Sequence, residues 1–297
     1  MRYAHLHTLT NFTFLMGASH PEEYVYRAYE LGYDAIAITD ECSLAGVLKA
    51  FVAAESLDMK LIIGSTFVLS NGMPLLIIAP SRNAYAELSG FITLARRRAA
   101  KGAYEAHFED LRFRLRECLI IYLADVKHKV DEEVIEELQR AFRGRLWIGM
   151  NHQLLGGEQR DFQRWLELGI AMGIPLVACG RALMHTKERK PLQDLVTAIR
   201  HNTPLESMGM RLELNGESYL KSLSQLERLY PESLLDESCE IADRCHFSMN
   251  ELRYQYPQEL VPEGLTPIQH LRQLVDAGKH IRWPEGVPTD TESLINK

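Results

Sequence analysis

HLHTLTNFTFLMGAS, residues 5–19, is the stretch on which the reading of this chain turns. Two histidines one residue apart close an apolar run, and every second residue of a strand points the same way. His5 and His7 therefore resemble the first half of a metal site. Leu9 then stands where a third histidine would continue the rhythm. The segment reads as a first strand, His5–Leu9, that ends in a Thr- and Asn-rich turn.

Further apolar, often β-branched runs follow: AIAIT (35–39), LIIG (61–64), PLLIIA (74–79), CLIIYLA (118–124), RLWIGM (145–150) and IPLVACG (174–180). Short apolar runs bounded by turn residues suit strands buried on both faces. Helical patterns alternate with them, at 21–32, 43–58, 83–102 and 159–173. The first of these has Pro at its start, acids in its first turn and Gly at its end. Strand, helix, strand in this order predicts right-handed βαβ units, in a parallel barrel or a strongly curved sheet of about seven strands. Chemistry in such barrels sits at the C-terminal strand ends. HLHTL, TDECS (39–43) and ACGRALMH (178–185) all fall there. The character changes after residue 185, so we divide the chain into a barrel, 1–185, and a mainly helical extension, 186–297. The extension holds helical patterns at 190–202 and 267–282, and a Pro- and Tyr-rich stretch in which Tyr254, Tyr256 and Trp283 read as packing residues of a junction. The closing DTESLINK starts a helical pattern without a cap, which we read as a chain cut short.

With 46% apolar and 25% charged residues the 297-residue chain is expected to pack a core. A net charge of −7 argues against tight nonspecific phosphate binding by the chain as a whole. The run Arg96, Arg97, Arg98, Lys101 is a local exception, read as a solvated helix face. Five scattered cysteines, none spaced C-x-x-C, disfavour disulfides and zinc knuckles and point to a reducing cytoplasm. Cys42 reads as a buried, inert thiol. No stretch reaches the ~20 apolar residues of a membrane span.

His5-Leu-His7-Thr-Leu9 through Gly17-Ala18, together with Ala37-Ile-Thr39-Asp40-Glu41-Cys-Ser-Leu-Ala-Gly46, resembles the opening of the PHP (polymerase and histidinol phosphatase) domain of bacterial DNA polymerase III α subunits. The resemblance continues through IIGSTF (62–67), ARRRAAKG (95–102), NGESYLKS (215–222), EIADRC (240–245) and YPQELVPEGLTP (256–267). ITDECSLAG, ELRYQYPQELVP and RWPEGVP resemble most the error-prone, damage-inducible branch. The fold this implies is α/β, a distorted seven-stranded (β/α) barrel of PHP type with a mainly helical C-terminal extension.

The resemblance also implies a ligand register. Active members carry a His-x-His pair, a Thr-Asp-His, a Glu and a final Asp-x-His, which together hold two or three divalent cations for phosphoester hydrolysis. In this chain His7 takes the first pair position and Leu9 the second. Asp40 is kept, Glu41 replaces His, Thr66 replaces Glu, and Arg181 and Leu183 replace Asp and His. Pro74 and Asn151 also stand at common ligand positions. An arginine where a cation should sit is repulsive, and its fork suits a carboxylate. The expectation is a vestigial site with no metal and no catalytic residue, in which Arg181 pairs with Asp40 or Glu41. His5 is read as a structural histidine and His185 as a loop histidine.

Two functions follow. In the first, the chain is the N-terminal PHP portion of an error-prone translesion polymerase, structural rather than hydrolytic, supporting a palm that uses Mg²⁺ beyond residue 297. The implied partners are the rest of the polymerase chain, the sliding clamp, mutasome accessory proteins and primer–template DNA, with no membrane. In the second, it is a metal-dependent phosphoesterase or 3′–5′ exonuclease with an incomplete ligand set.

Overall fold

In a computed structural model, which describes residues 2–124, 132–252 and 260–296, the apolar runs form nine strands. They are β1 (Ala4–His5), β2 (His7–Thr8), β3 (Ala35–Ile38), β4 (Lys60–Val68), β5 (Pro74–Ile78), β6 (Leu119–Ala124), β7 (Leu146–Met150), β8 (Leu176–Ala178) and β9 (Arg181–Ala182). Seven make one sheet in the order β1-β3-β4-β5-β6-β7-β8, and β2 pairs with β9. The helices among the strands are α1 (Pro21–Glu30), α2 (Val47–Ser56), α3 (Arg82–Arg98), α4 (Phe108–Arg114), α5 (Glu132–Ala141) and α6 (Glu158–Met172). After them come α7 (Lys190–Arg200), α8 (Leu223–Leu229), α9 (Glu232–Asp243), α10 (Pro267–Arg282) and α11 (Thr289–Ile295).

Local chemistry sets the helix starts. Glu23 reaches back to the His20 N–H (2.8 Å), and Pro21 supplies a preset φ in the first turn of α1. Ser81 caps α3 by accepting from the Ala84 N–H (3.1 Å). Thr266 and Gln269 form a capping box on α10.

The strands are buried on both faces, and alternate residues divide between two apolar layers. Ile36, Ile38, Leu75, Ile77 and Ile120 face the layer that α1 to α6 cover. Ala35, Ala37, Leu76, Ile78 and Ile121 face the layer enclosed by the curled sheet. Edge strands β1 and β8 do not pair with each other. They are bridged at one end by α9, which packs on both and whose Ser238 Oγ accepts the Ala4 N–H (3.1 Å). At the other end β2 pairs in parallel with β9, His7 opposite Arg181 and Thr8 opposite Ala182.

Two sequence expectations change here. The sheet is parallel except at β5, which runs antiparallel to both β4 and β6. The link from β4 to β5 is five residues around Asn71-Gly72, with Gly72 at φ +85°, too short for a crossover helix. Residues past 185 also belong partly to the barrel, because α9 fills its seam. The chain separates into one unit over Met1–Leu252 and a second over Arg253–Lys297. Within the second, Lys279 of α10 binds Glu292 of α11 (3.0 Å). Tyr254 and Tyr256 lie outside the described residues.

Phe67 is fully buried against Phe91 and Tyr104, with ring centroids 4.9 and 6.1 Å away. Phe67→Ala is expected to cost about 3–5 kcal/mol, read from the urea midpoint of unfolding.

Candidate functional site

The strand ends at the β2–β9 seam bring the sequence-selected residues into one neighbourhood, but with partners the sequence did not suggest. Asp40, at the end of β3, is only 1% exposed. Its carboxylate accepts from the Thr10 N–H (2.7 Å), the Thr10 hydroxyl (2.8 Å to Oδ2) and the Thr13 hydroxyl (2.7 Å). Gly46 closes the remaining side, where a Cβ would sit 2.7 Å from Oδ2. Burial pushes the carboxyl pKa up, while the hydrogen bonds from Thr13 and Thr10 pull it down. Thr13 Oγ1 also accepts the Glu41 N–H (3.0 Å), which ties the loop after β2 to the loop after β3.

Glu41 turns away from Asp40. Its Oε1 accepts from the Tyr104 hydroxyl (2.6 Å), and Arg96 donates to the carbonyls of Glu41 and Cys42 (3.3 and 3.2 Å). Arg96 also lies over the Tyr104 ring, 5.5 Å from its centroid. One member of the basic run is therefore anchored at the site. Cys42 is buried, and burial pushes its thiol up to about 11. Thr66 gives its hydroxyl to the Thr39 carbonyl (2.9 Å).

Arg181 does not pair with Asp40 or Glu41, and that expectation is corrected. Its Nη2 contacts both carboxylate oxygens of Glu213 at 2.7 Å, while its backbone N–H donates to Asn151 Oδ1 (3.1 Å). The physical reason is that Asp40 already has its donors from Thr10 and Thr13. Leu9 and Leu183 are buried and join the seam through their backbones: the Leu9 N–H donates to the Ala182 carbonyl (2.9 Å), and the Ala18 N–H to the Leu183 carbonyl (2.7 Å). Pro74 opens β5 opposite Val68, at the same end of the sheet as Thr66, and its side chain offers no donor.

His7 is buried, and its Nε2 has no hydrogen-bond partner. Burial first, then the Arg181 charge, lowers its pKa to about 3. His5 is held between the Tyr3 hydroxyl and the His7 carbonyl (both 3.2 Å), and burial lowers it to about 4. His185 lies in the loop after β9, where its Nδ1 meets Ser19 Oγ at 2.8 Å. Sequence reasoning missed Thr10, Thr13, Tyr104 and Glu213. The threonines at 8, 10 and 13 were a visible signal; the other two lie in irregular segments.

A divalent centre needs several open, converging donors. Here Asp40 is saturated by hydroxyls, Glu41 binds Tyr104, Leu9 and Leu183 offer none, and His7 alone is unpartnered. Among the described residues no three His, Cys, Asp or Glu side chains group to hold a metal ion. The donor set does not fit a two- or three-ion centre.

Compared with known proteins, residues 5–153 match the model of the PHP domain. The chain belongs to the PHP domain family. It is 59% identical over 297 residues to an error-prone DNA polymerase of Teredinibacter turnerae, covering 100% of this chain and 29% of that one. It is 54% identical over 295 residues to an error-prone DNA polymerase of Saccharophagus degradans, covering 99% and 29%. The chain thus spans less than a third of these relatives. A solved amidohydrolase of Chromobacterium violaceum, with bound sulfate and no metal, aligns at 14% identity and a TM-score of 0.49, over 61% of this chain and 88% of that one. The PHP match covers the Asp40 and Thr66 strand ends and stops short of β9, so Arg181 and Leu183 fall outside it.

Two measurements probe this site. His5 and His7 titrate below their ordinary range, so the native state binds fewer protons than the unfolded one. Their contribution is intact above the usual histidine pKa of ~6.5 and is lost as pH falls from there toward 4 and 3. Each adds a slope of about 1.4 kcal/mol per pH unit in that window. Asp40, shifted up, works in the opposite sense: its ionisation costs stability as pH rises through its folded pKa. His7→Leu is therefore expected to flatten the acid limb of a stability–pH curve measured by urea unfolding. A double-mutant cycle of Arg181→Met with Glu213→Gln is expected to show a coupling of about 0.5–3 kcal/mol. Arg181→Met with Asp40→Asn should show a smaller coupling.

Proposed function

We propose that this chain is the PHP portion at the N-terminus of an error-prone DNA polymerase, and that its role there is structural. The observation that carries this reading is identity to such polymerases along the whole chain, at 59% over 297 residues in one case. The parent would be a DNA-directed nucleotidyltransferase acting in translesion synthesis, within DNA repair and replication after DNA damage, in the cytoplasm. Among the described residues no helix is long and apolar enough to cross a membrane. The chemistry would lie in the palm, where carboxylates hold Mg²⁺ for two-metal phosphoryl transfer. Partners would be the remainder of the polymerase chain, the sliding clamp, mutasome accessory proteins and primer–template DNA.

The structural role is supported by how the former ligand positions are used. Asp40 fastens two loops through Thr10 and Thr13, and Arg181 fastens β9 to the segment holding Glu213. His7, Leu9, Asp40, Glu41, Thr66, Arg181 and Leu183 are then vestigial metal-site positions, with no cofactor in this chain. The competing reading, a metal-dependent phosphoesterase or 3′–5′ exonuclease, needs donors that Leu9, Thr66, Arg181 and Leu183 do not provide.

Elemental analysis after dialysis against Mn²⁺ or Zn²⁺ is expected to find well under one ion per chain, without phosphoesterase activity. Leu9→His, Thr66→Glu, Arg181→Asp or Leu183→His alone should not change that. Stoichiometric metal with phosphate release by the unaltered chain would replace this reading with the hydrolytic one.

A further inference from the structure

A cavity of about 490 Å³ opens at the end of the sheet opposite Asp40. Reversal of β5 makes it: β5 leaves the sheet where β6 enters, with Ile78 opposite Leu119. Pro80, Ser81 and Arg82 after β5, and Arg145 before β7, therefore line one recess. The volume is in the range of roughly 300–1,000 Å³ usual for small-molecule sites.

Four arginines line this recess: Arg82, Arg116, Arg145 and Arg244. Two are fixed without a carboxylate. Arg145 donates to the Leu115 and Cys118 carbonyls (3.2 and 2.5 Å), and Arg244 donates to the Gly144 carbonyl (3.1 Å) while lying 5.0 Å from the Trp147 ring centroid. Arg82 and Arg116 have no hydrogen-bond or ion-pair partner among the described residues.

Both acids that line the recess are engaged elsewhere. Glu117 accepts from Ser81 Oγ (2.6 Å) and Asn83 Nδ2 (3.2 Å), and Glu251 accepts the Ser248 N–H (2.9 Å). Glu87, near Arg145, accepts the Glu117 N–H (2.9 Å). These neutral donors leave both lining carboxylates ionised, so four arginines against two acids give the lining a charge of about +2, in a chain whose net charge is −7. Arg82 also stands in the first turn of α3, which holds no acid, at the positive end of the helix dipole. That placement is unfavourable for the helix alone and becomes favourable with an anion beside it.

We propose that this recess binds a phosphate-bearing anion, with Arg82 and Arg116 as its free forks and Arg145 and Arg244 as its fixed wall. Planar guanidinium forks match oxyanions two oxygens at a time, which a halide cannot offer, and the three or more oxygens of a phosphate can meet more than one fork at once, where a carboxylate has only two. The phosphate could belong to a free compound or to a nucleic-acid strand, and the proposal does not depend on the polymerase reading.

The test titrates this chain, in phosphate-free buffer of low ionic strength, with pyrophosphate and separately with a single-stranded deoxyoligonucleotide. Calorimetry follows the first and fluorescence anisotropy the second. Saturable binding of at least one probe is expected, weakened tenfold or more in Arg82→Gln/Arg116→Gln and unchanged in Arg97→Gln, at the far end of α3. Arg82 and Arg116 are exposed and unpaired, so the double variant is expected to keep the parent's circular dichroism and melting curve. Saturation by pyrophosphate identifies a free phosphate compound; saturation by the oligonucleotide alone identifies a strand. No saturable binding of either probe, undiminished binding by the double variant, or equal weakening by Arg97→Gln overturns the proposal.

Discussion

The parallel pairing of His7–Thr8 with Arg181–Ala182 is the constraint on which the rest of this structure depends. Without it β1 and β8 would be two free edges of a curled sheet, each presenting unpaired backbone groups. With it, the loops after β2, β3 and β9 converge, and the site consists of those loops. Asp40 meets Thr10 and Thr13 because β2 lies beside both β3 and β9. The Thr39 N–H donates to the Thr8 carbonyl (3.0 Å), and the Leu9 N–H to the Ala182 carbonyl (2.9 Å). At the other end of the same seam α9 does the equivalent work with a serine hydroxyl and apolar side chains.

A metal centre and a hydrogen-bonded carboxylate solve one problem in two ways. Buried negative charge must be met by positive charge or by donors. Here hydroxyl and amide donors surround Asp40, and Arg181 pairs with Glu213. Both arrangements crosslink loops distant in sequence, so a chain can give up the ion and keep the architecture. What it loses is an open, electrophilic position at which water could be activated.

The fold was legible where burial is two-sided. AIAI and LLII can only be interior strands, and helices with Pro and acids at the start, such as 21–32, declare their ends. Antiparallel β5 was harder, because LIIG and PLLIIA look the same in either direction; only the short Asn71-Gly72 link distinguishes a hairpin from a crossover. Helices α4 and α5 were not read, although Ile135 and Leu138 of α5 face the core. At the site, residues that gather at the strand ends, such as His7, Asp40 and Arg181, could be marked from sequence, but Arg181's partner could not. Glu213 lies 32 residues on, in a segment without regular structure, so no periodicity points one to the other. Role followed from side-chain reach, and reach depends on loops.

The seam also orders events in time. The hairpin from β4 to β5 joins neighbours and can form early, because closing a short loop costs little entropy. The contacts across the seam join residues as far apart as Ala4 and Ser238, 234 positions along the chain. During synthesis β1 can pair with β3 as soon as both are made, whereas β2 must wait for β9. Until β9 and α9 have been made, the edge of the sheet formed by β1 and β2 stays open. Assembly of this domain is late-closing by topology, and its amino-terminal residues are those most dependent on shelter in the interval.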